Sequence, residues 1–240
     1  MPFSVDQLAF DLPYVPETGR ASFLAGPSNA AALALVDRWP DWPGNAAVIW
    51  GPPGAGKSHL CHIWSVRSGA DIISAGEISE EALGARLGGR GLAIEAIDGA
   101  GLPEPVLFHA LNLARAGRGP LLLTSRGNPA SIGFRLADLA SRLRALTAER
   151  LAEPDDVLLR RVMAKLFADR QLFVDIDLIE FLAMRIDRSL AAAMEVVDTL
   201  DRAALRARRA LSRRFAAEVL GPRFAARETE GQSDLFPTGG

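Results

Sequence analysis

Two periods alternate along the first 150 residues. Short apolar runs stand at "NAAVIW" (45–50), "ADIISAGE" (70–77), "GLAIEAID" (91–98) and "PLLLTSR" (120–126). Their length and flanking glycines or prolines are those of buried strands. Between them, apolar residues recur at helical spacing. One such segment runs behind Ser28 as N-cap and stops at Pro40; a second, "KSHLCHIWSVRSG", ends at Gly69; a third, "EPVLFHALNLARAGRG", ends before Gly117 and Gly119. Strand–helix alternation predicts a parallel sheet covered by helices on both faces.

After residue 150 the strand signal stops. "EPDDVLLRRVMAKLFADRQ" predicts a helix with Pro154 near its first turn, and "DIDLIEFLAMRI" predicts a second. "SLAAAMEVVDTLDRAALRARRALSRRFAAEVLG" predicts one long third helix, stopped by Gly221 and Pro222. The expected organisation is therefore an α/β domain over 21–150 and a small all-α lid over 151–220. Residues 1–20, with Pro2, Pro13, Pro16 and Gly19, read as an extended arm; 221–240 reads as a disordered tail.

Composition changes this picture little. The chain has 240 residues, 49% hydrophobic and 23% charged, enough for a packed core. A net charge of −2 opposes strong non-specific attraction to nucleic acid. Cys61 is the single cysteine, so an internal disulfide is excluded, which fits a reducing compartment. Neither a secretory signal nor a membrane-length apolar run is evident, and a cytoplasmic location is expected.

The chemistry begins at "GPPGAGKS" (51–58), between the first strand and a helix. The pattern G-x-x-x-x-G-K-[ST] in that context is a phosphate-binding loop. Gly51, Gly54 and Gly56, with Pro52 and Ala55 between them, let backbone N–H groups close around phosphate oxygens. Lys57 reaches the β- and γ-phosphates, and the Ser58 hydroxyl is placed for Mg²⁺. A glycine turn with a chance lysine is the plain alternative, against which the strand–loop–helix register weighs. His59 follows at the nucleotide's edge; with a single cysteine and no second Cys/His cluster, no transition-metal site is read here.

A nucleotide hydrolase also needs an acid at a neighbouring strand tip for Mg²⁺ and commonly a second beside it for the attacking water. Glu95 stands at the first position, and Ala96 at the second. Asp98 follows two residues later and either serves that acid's role or caps a turn with Gly99. Nucleotide binding with weak or no autonomous hydrolysis is the expectation. Thr124, at the tip of "LLLTSR", is placed to sense the γ-phosphate.

In order, "FLAGPSN", "GPPGAGKSHL", "LAIEAID", "LLLTSR", "DLASRL" and a helical lid resemble the AAA+ ATPases, and among them the replication initiator DnaA, over about 23–220. The resemblance implies that Arg142, in "DLASRL", is an arginine finger acting on a partner's ATP. It also implies a sensor arginine early in the third lid helix, where Ala191 stands here; Arg188, one turn earlier, is the candidate substitute. With a short arm at one end and a short tail after the lid, the chain looks like the Hda-type regulators of DnaA inactivation. That family is expected to work with ADP bound and to ride the β sliding clamp of DNA polymerase III.

The clamp reading rests on two peptides. "QLAFDL" supplies Gln7, Leu8, Phe10 and Leu12; "QSDLF" supplies Gln232, Leu235 and Phe236. Either an arm folded on its own core or a peptide for a partner's pocket explains the first. The implied cofactors are ADP or ATP with Mg²⁺; the implied partners are the clamp and DnaA. Arg202, Arg206, Arg208, Arg209, Arg213 and Arg214 form a basic face that either meets duplex DNA non-specifically or pairs with Asp198, Asp201 and Glu218. Two other readings stay open: an autonomous loader or motor ATPase, and a non-catalytic clamp-tethered scaffold. Oligomers fit any of the three.

Overall fold

The computed structural model describes residues 19–87 and 90–221. Five parallel strands form the sheet: β1 (Ala46–Trp50), β2 (Asp71–Ser74), β3 (Leu92–Glu95), β4 (Leu121–Ser125) and β5 (Thr147–Arg150). Their order is β2-β3-β4-β1-β5, with Ala46 opposite Leu121 and Ala47 opposite Thr147. Residues of β1 and β4 alternate between two cores, as the pleat requires. Val48, Leu121 and Leu123 pack on one face, with α3 (Glu80–Arg86), α4 (Glu104–Arg115) and α5 (Ala137–Ala145). Ala47, Ile49 and Leu122 pack on the other, with α1 (Ala30–Asp37) and α2 (Lys57–Ser68). There Trp64 is wholly buried, its ring 5.3 Å from that of Trp42.

Several expectations change. The edge strand β5, "TAER", has no apolar run to announce it; its pairing to β1 creates it. β2 is shorter than its apolar run because Ser74 caps a 3-10 turn at Ala75–Glu77, with the Ser74 N–H donating to Glu77 Oε2 at 3.0 Å. β3 ends at Glu95 because Ala96 turns into the left-handed region at φ 59°. Asn29, rather than Ser28, is the N-cap residue of α1. Its side chain accepts from Gly26 N–H at 2.8 Å and donates to the Leu24 carbonyl at 3.0 Å, fixing the preceding loop. Pro154 precedes the next helix's N-cap, Asp155, and so lies outside the first turn.

The C-terminal helical segment consists of α6 (Asp156–Asp169), α7 (Ile176–Ala183), α8 (Leu190–Ala207) and α9 (Arg213–Leu220). Side chains of Asp155, Asp175, Ser189 and Ser212 accept N–H bonds at the four N-termini, satisfying donors that a helix start leaves open. The long third helix is thus two helices. Arg208, at φ 50°, closes α8, and Ser212 opens α9 so that Phe215 and Ala216 turn into the core. Arg170, 3% exposed, donates to Asp198 and to the Leu166 carbonyl, tying α6 to α8. Part of the basic face is engaged internally. Arg209 and Arg214 bond Glu218, and Arg213 lies 4.9 Å over the Phe181 ring. Among the described residues no helix is long and apolar enough to cross a membrane.

Candidate nucleotide site

The loop after β1 enters α2, so the sheet's fourth-placed strand aims it and the helix N-terminus closes it. Its first residue is gripped on two sides. Gly51 N–H donates to the Ser125 carbonyl at 3.1 Å, and a Cβ at Gly51 would lie 2.0 Å from the Leu151 carbonyl oxygen. Gly51→Ala is therefore expected to lose at least about 3 kcal/mol of stability, since backbone on both sides leaves no room to relax; a melting curve checks this. Gly54 has φ 73°, and its carbonyl accepts from Leu190 N–H at 2.9 Å, so the loop touches the start of α8.

Lys57 folds over the loop, donating from Nζ to the Gly51 carbonyl at 2.6 Å and to the Pro52 carbonyl at 2.8 Å. Burial pushes its pKa below the usual lysine range; Asp98 and Glu95 oppose that fall, and Arg126 adds to it. A cleft of about 580 Å³ opens beside the loop, between it and helices α6 and α8. Gly54, Gly56, Lys57, Ser58 and His59 line it; Ala55 is buried beneath. The far wall was not legible in the sequence: Lys165 and Asp169 of α6, Met194 of α8, and Phe23, which meets His59 edge-on at 5.2 Å. Only the docking of α6 brings Lys165 there, and nothing in its local pattern signals it.

At the strand tips, Glu95 Oε1 is buried with no hydrogen-bond partner among the described residues. An orphaned carboxylate oxygen beside a loop that carries Lys57 and Ser58 suits a phosphate with its divalent cation. Thr124 is 2% exposed; its Oγ1 accepts from Ala96 N–H at 3.1 Å and its carbonyl from Ile97 N–H at 2.9 Å, joining the tips of β3 and β4. Asp98 does not cap a turn with Gly99. Its Oδ2 accepts from the N–H groups of Arg126 at 2.8 Å and Gly127 at 3.2 Å, holding the loop after β4.

Two predicted arginines lie away from the cleft lining. Arg188 is exposed and paired with Asp156 at 3.0 Å, whereas Ala191 does line the cleft. Arg142, on α5, rests 4.7 Å over the Phe108 ring. Gln7, Leu8, Phe10, Leu12, Gln232, Leu235 and Phe236 lie outside the described residues. Among the described residues no three His, Cys, Asp or Glu side chains gather to hold a metal ion. Cys61 is wholly buried, and burial drives its thiol pKa far up, so it stays protonated.

No family model matches the chain. Solved structures do. Domain III of the replication initiation protein DnaA from Thermotoga maritima superposes with TM-score 0.74 at 19% identity, over 87% of this chain and 98% of that one. The fold is AAA+ and DnaA-like. A replication initiator DnaA bound to AMPPCP and single-stranded DNA matches with TM-score 0.66 at 16% identity, over 81% of this chain and 69% of that one. The RuvB Holliday junction branch migration motor of Thermotoga maritima matches at 0.58 and 16%, over 73% and 60%. At such identities the likeness is one of fold. In this AAA+ frame the cleft lies between the sheet's loop-bearing edge and the C-terminal helices.

Proposed function

We propose that the protein binds ADP or ATP with Mg²⁺ in this cleft and uses the bound nucleotide to regulate initiation of chromosome replication. Lys57 and the loop N–H groups hold the phosphates; Ser58 and Glu95 hold the Mg²⁺; His59 and Thr124 border the nucleotide. A DnaA structure of the same fold holds AMPPCP, which supports the first step.

One observation carries the regulatory reading. The positions that would drive turnover in this chain's own cleft are Ala96 and Ala191, while Arg142 sits outside that cleft on an aromatic shelf. A pocket poor in catalytic groups and a cation presented elsewhere suit chemistry in a partner's pocket. On this reading residues 1–20 and 221–240 are attachment segments, and 21–150 and 151–220 are the nucleotide domain and its lid. The protein rides the DNA-loaded β clamp through Gln7–Leu12, Gln232–Phe236 or both, and Arg142 reaches ATP held by DnaA. Hydrolysis there leaves inactive DnaA-ADP.

Titration of purified clamp with the full chain, with Gln7→Ala/Leu8→Ala and with a chain ending at Gly231 tests the tether. The full chain is expected to bind at micromolar clamp, and at least one variant to bind tenfold or more weakly, identifying the anchor. No binding by the full chain removes the clamp from the reading. The RuvB likeness favours one rival, a motor; rapid nucleotide turnover by the protein alone would select it.

A further inference from the structure

The elbow between α8 and α9 concentrates positive charge that the packing does not neutralise. From 202 to 214 stand Arg202, Arg206, Arg208, Arg209, Arg213 and Arg214, with no acid among them, in a chain of net charge −2. The rest of the chain therefore carries an acidic excess. All of these arginines are exposed, and residues 205–210 are exposed without a break. The acids nearby are committed or shared. Arg170 takes Asp198 and lies 3.9 Å from Asp201, and the Glu218 carboxylate serves both Arg209 and Arg214. Packing adds a further cation. Arg185 lies 4.2 Å over the Phe181 ring that Arg213 approaches at 4.9 Å, so α7 and α9 bring two guanidiniums to one ring.

The backbone fixes this cluster. Arg208 closes α8 at φ 50° and ψ 42°, the left-handed region that glycine or asparagine fills at little cost. An arginine there carries strain, and its side chain is exposed. The Arg209 N–H returns to the Ala204 carbonyl at 3.2 Å and pins the turn. Arg202 and Arg206 stand one turn apart on α8, about 6 Å along its axis, and so share a face. Cations held at such spacing suit a regular polyanion. Two observations choose among polyanions. The Phe181 and Phe215 rings are buried and offer no face on which unpaired bases stack. The apolar faces of α8 and α9 pack into the helical core, which leaves Leu205 as the exposed large apolar side chain of the elbow among the described residues, too little to enter a lipid surface.

We propose that the α8–α9 elbow holds the phosphate backbone of duplex DNA without reading its sequence. Arg202, Arg206 and Arg208 contact phosphates, and Arg213 with Arg185 extends the track. The acidic remainder of the chain is repelled by the duplex, so contact is confined to the elbow and affinity is low. The inference goes beyond the nucleotide and clamp readings and depends on neither. On a DNA-loaded clamp the elbow adds a second, weak attachment to the tether.

The test is fluorescence anisotropy of a labelled duplex of arbitrary sequence, about 20 base pairs long, titrated with the full chain and no clamp at about 50 to 200 mM salt. Wild type is expected to bind at roughly 10–100 µM at the lower salt, with affinity falling by about three powers of ten per tenfold rise in salt for three phosphate contacts. Arg206→Ala/Arg208→Ala is expected to bind at least about tenfold more weakly and to flatten that slope by about two. Arg208→Gly is expected to weaken duplex binding while keeping or raising the melting temperature, because glycine relieves the left-handed strain; a folding defect would move both together. Arg115→Ala/Arg118→Ala, exposed at the far end of α4, is expected to change neither. No duplex binding by wild type, or elbow variants with wild-type affinity and slope, overturns the proposal. So does tighter binding to a single strand of the same length, or preference for vesicles with about one-third phosphatidylglycerol over the duplex.

Discussion

Arg142→Ala is expected to slow the stimulated hydrolysis of DnaA-bound ATP by about 1,000-fold, the lower end of what an arginine supplied in trans contributes. The size follows from where charge develops. The terminal phosphoryl group gains charge on its equatorial oxygens in the transition state, and a planar guanidinium meets two of them at once. Arg142 suits presentation of that group. Leu139 and Leu143 anchor α5 in the core at full burial, and the Phe108 ring holds the guanidinium from below. A cation over an aromatic face keeps its charge and loses freedom, so less ordering is left for the encounter. Arg142→Lys keeps the charge without the fork and is expected to recover little. Phosphate release from DnaA-ATP in the presence of DNA-loaded clamp measures both variants. An unchanged rate for Arg142→Ala, with clamp binding intact, would sink the finger role and leave a tether.

Lys57→Ala is expected to reduce nucleotide affinity at least 100-fold. Two charge-assisted bonds to phosphate oxygens, each worth about 1.5–3 kcal/mol, sum to about 3 kcal/mol or more. The carbonyls of Gly51 and Pro52 occupy the ammonium in the free protein, and phosphate oxygens replace neutral acceptors with charged ones. Burial already lowers the Lys57 pKa, so the ammonium is incompletely stabilised before the anion arrives. The sign of the pH dependence follows. Phosphate raises the pKa, so the gain from Lys57 is fully present below the free protein's lowered pKa. It is lost as pH rises through that value toward the pKa of the complex. Titration with fluorescent nucleotide across neutral to alkaline pH is expected to show affinity falling in wild type and nearly flat in Lys57→Ala.

What the sequence by itself determined is local. β1, β3 and β4 are buried on both faces, so their apolar runs announce them whatever surrounds them. The loop 51–58 is equally legible, because its glycines, lysine and hydroxyl stand within eight consecutive residues. Glu95 followed by Ala96 is read from two adjacent letters.

Tertiary structure decided the rest, wherever a residue's partner is distant in the chain. β5 is polar and exists as a strand through its pairing to β1, about 100 residues earlier. α8 and α9 separate without a glycine or proline between them, because burial of Phe215 and Ala216 requires the turn. Gly51 reads as a phosphate glycine, yet the close pass of Leu151 independently excludes any side chain there. Asp98 reads either as an acid for water or as a turn cap with Gly99, and is bonded instead to backbone 28 and 29 residues away, which fixes the loop after β4. Spacing along a chain encodes the contacts of neighbours; contacts between separate elements depend on how their faces pack, which no single segment's pattern specifies.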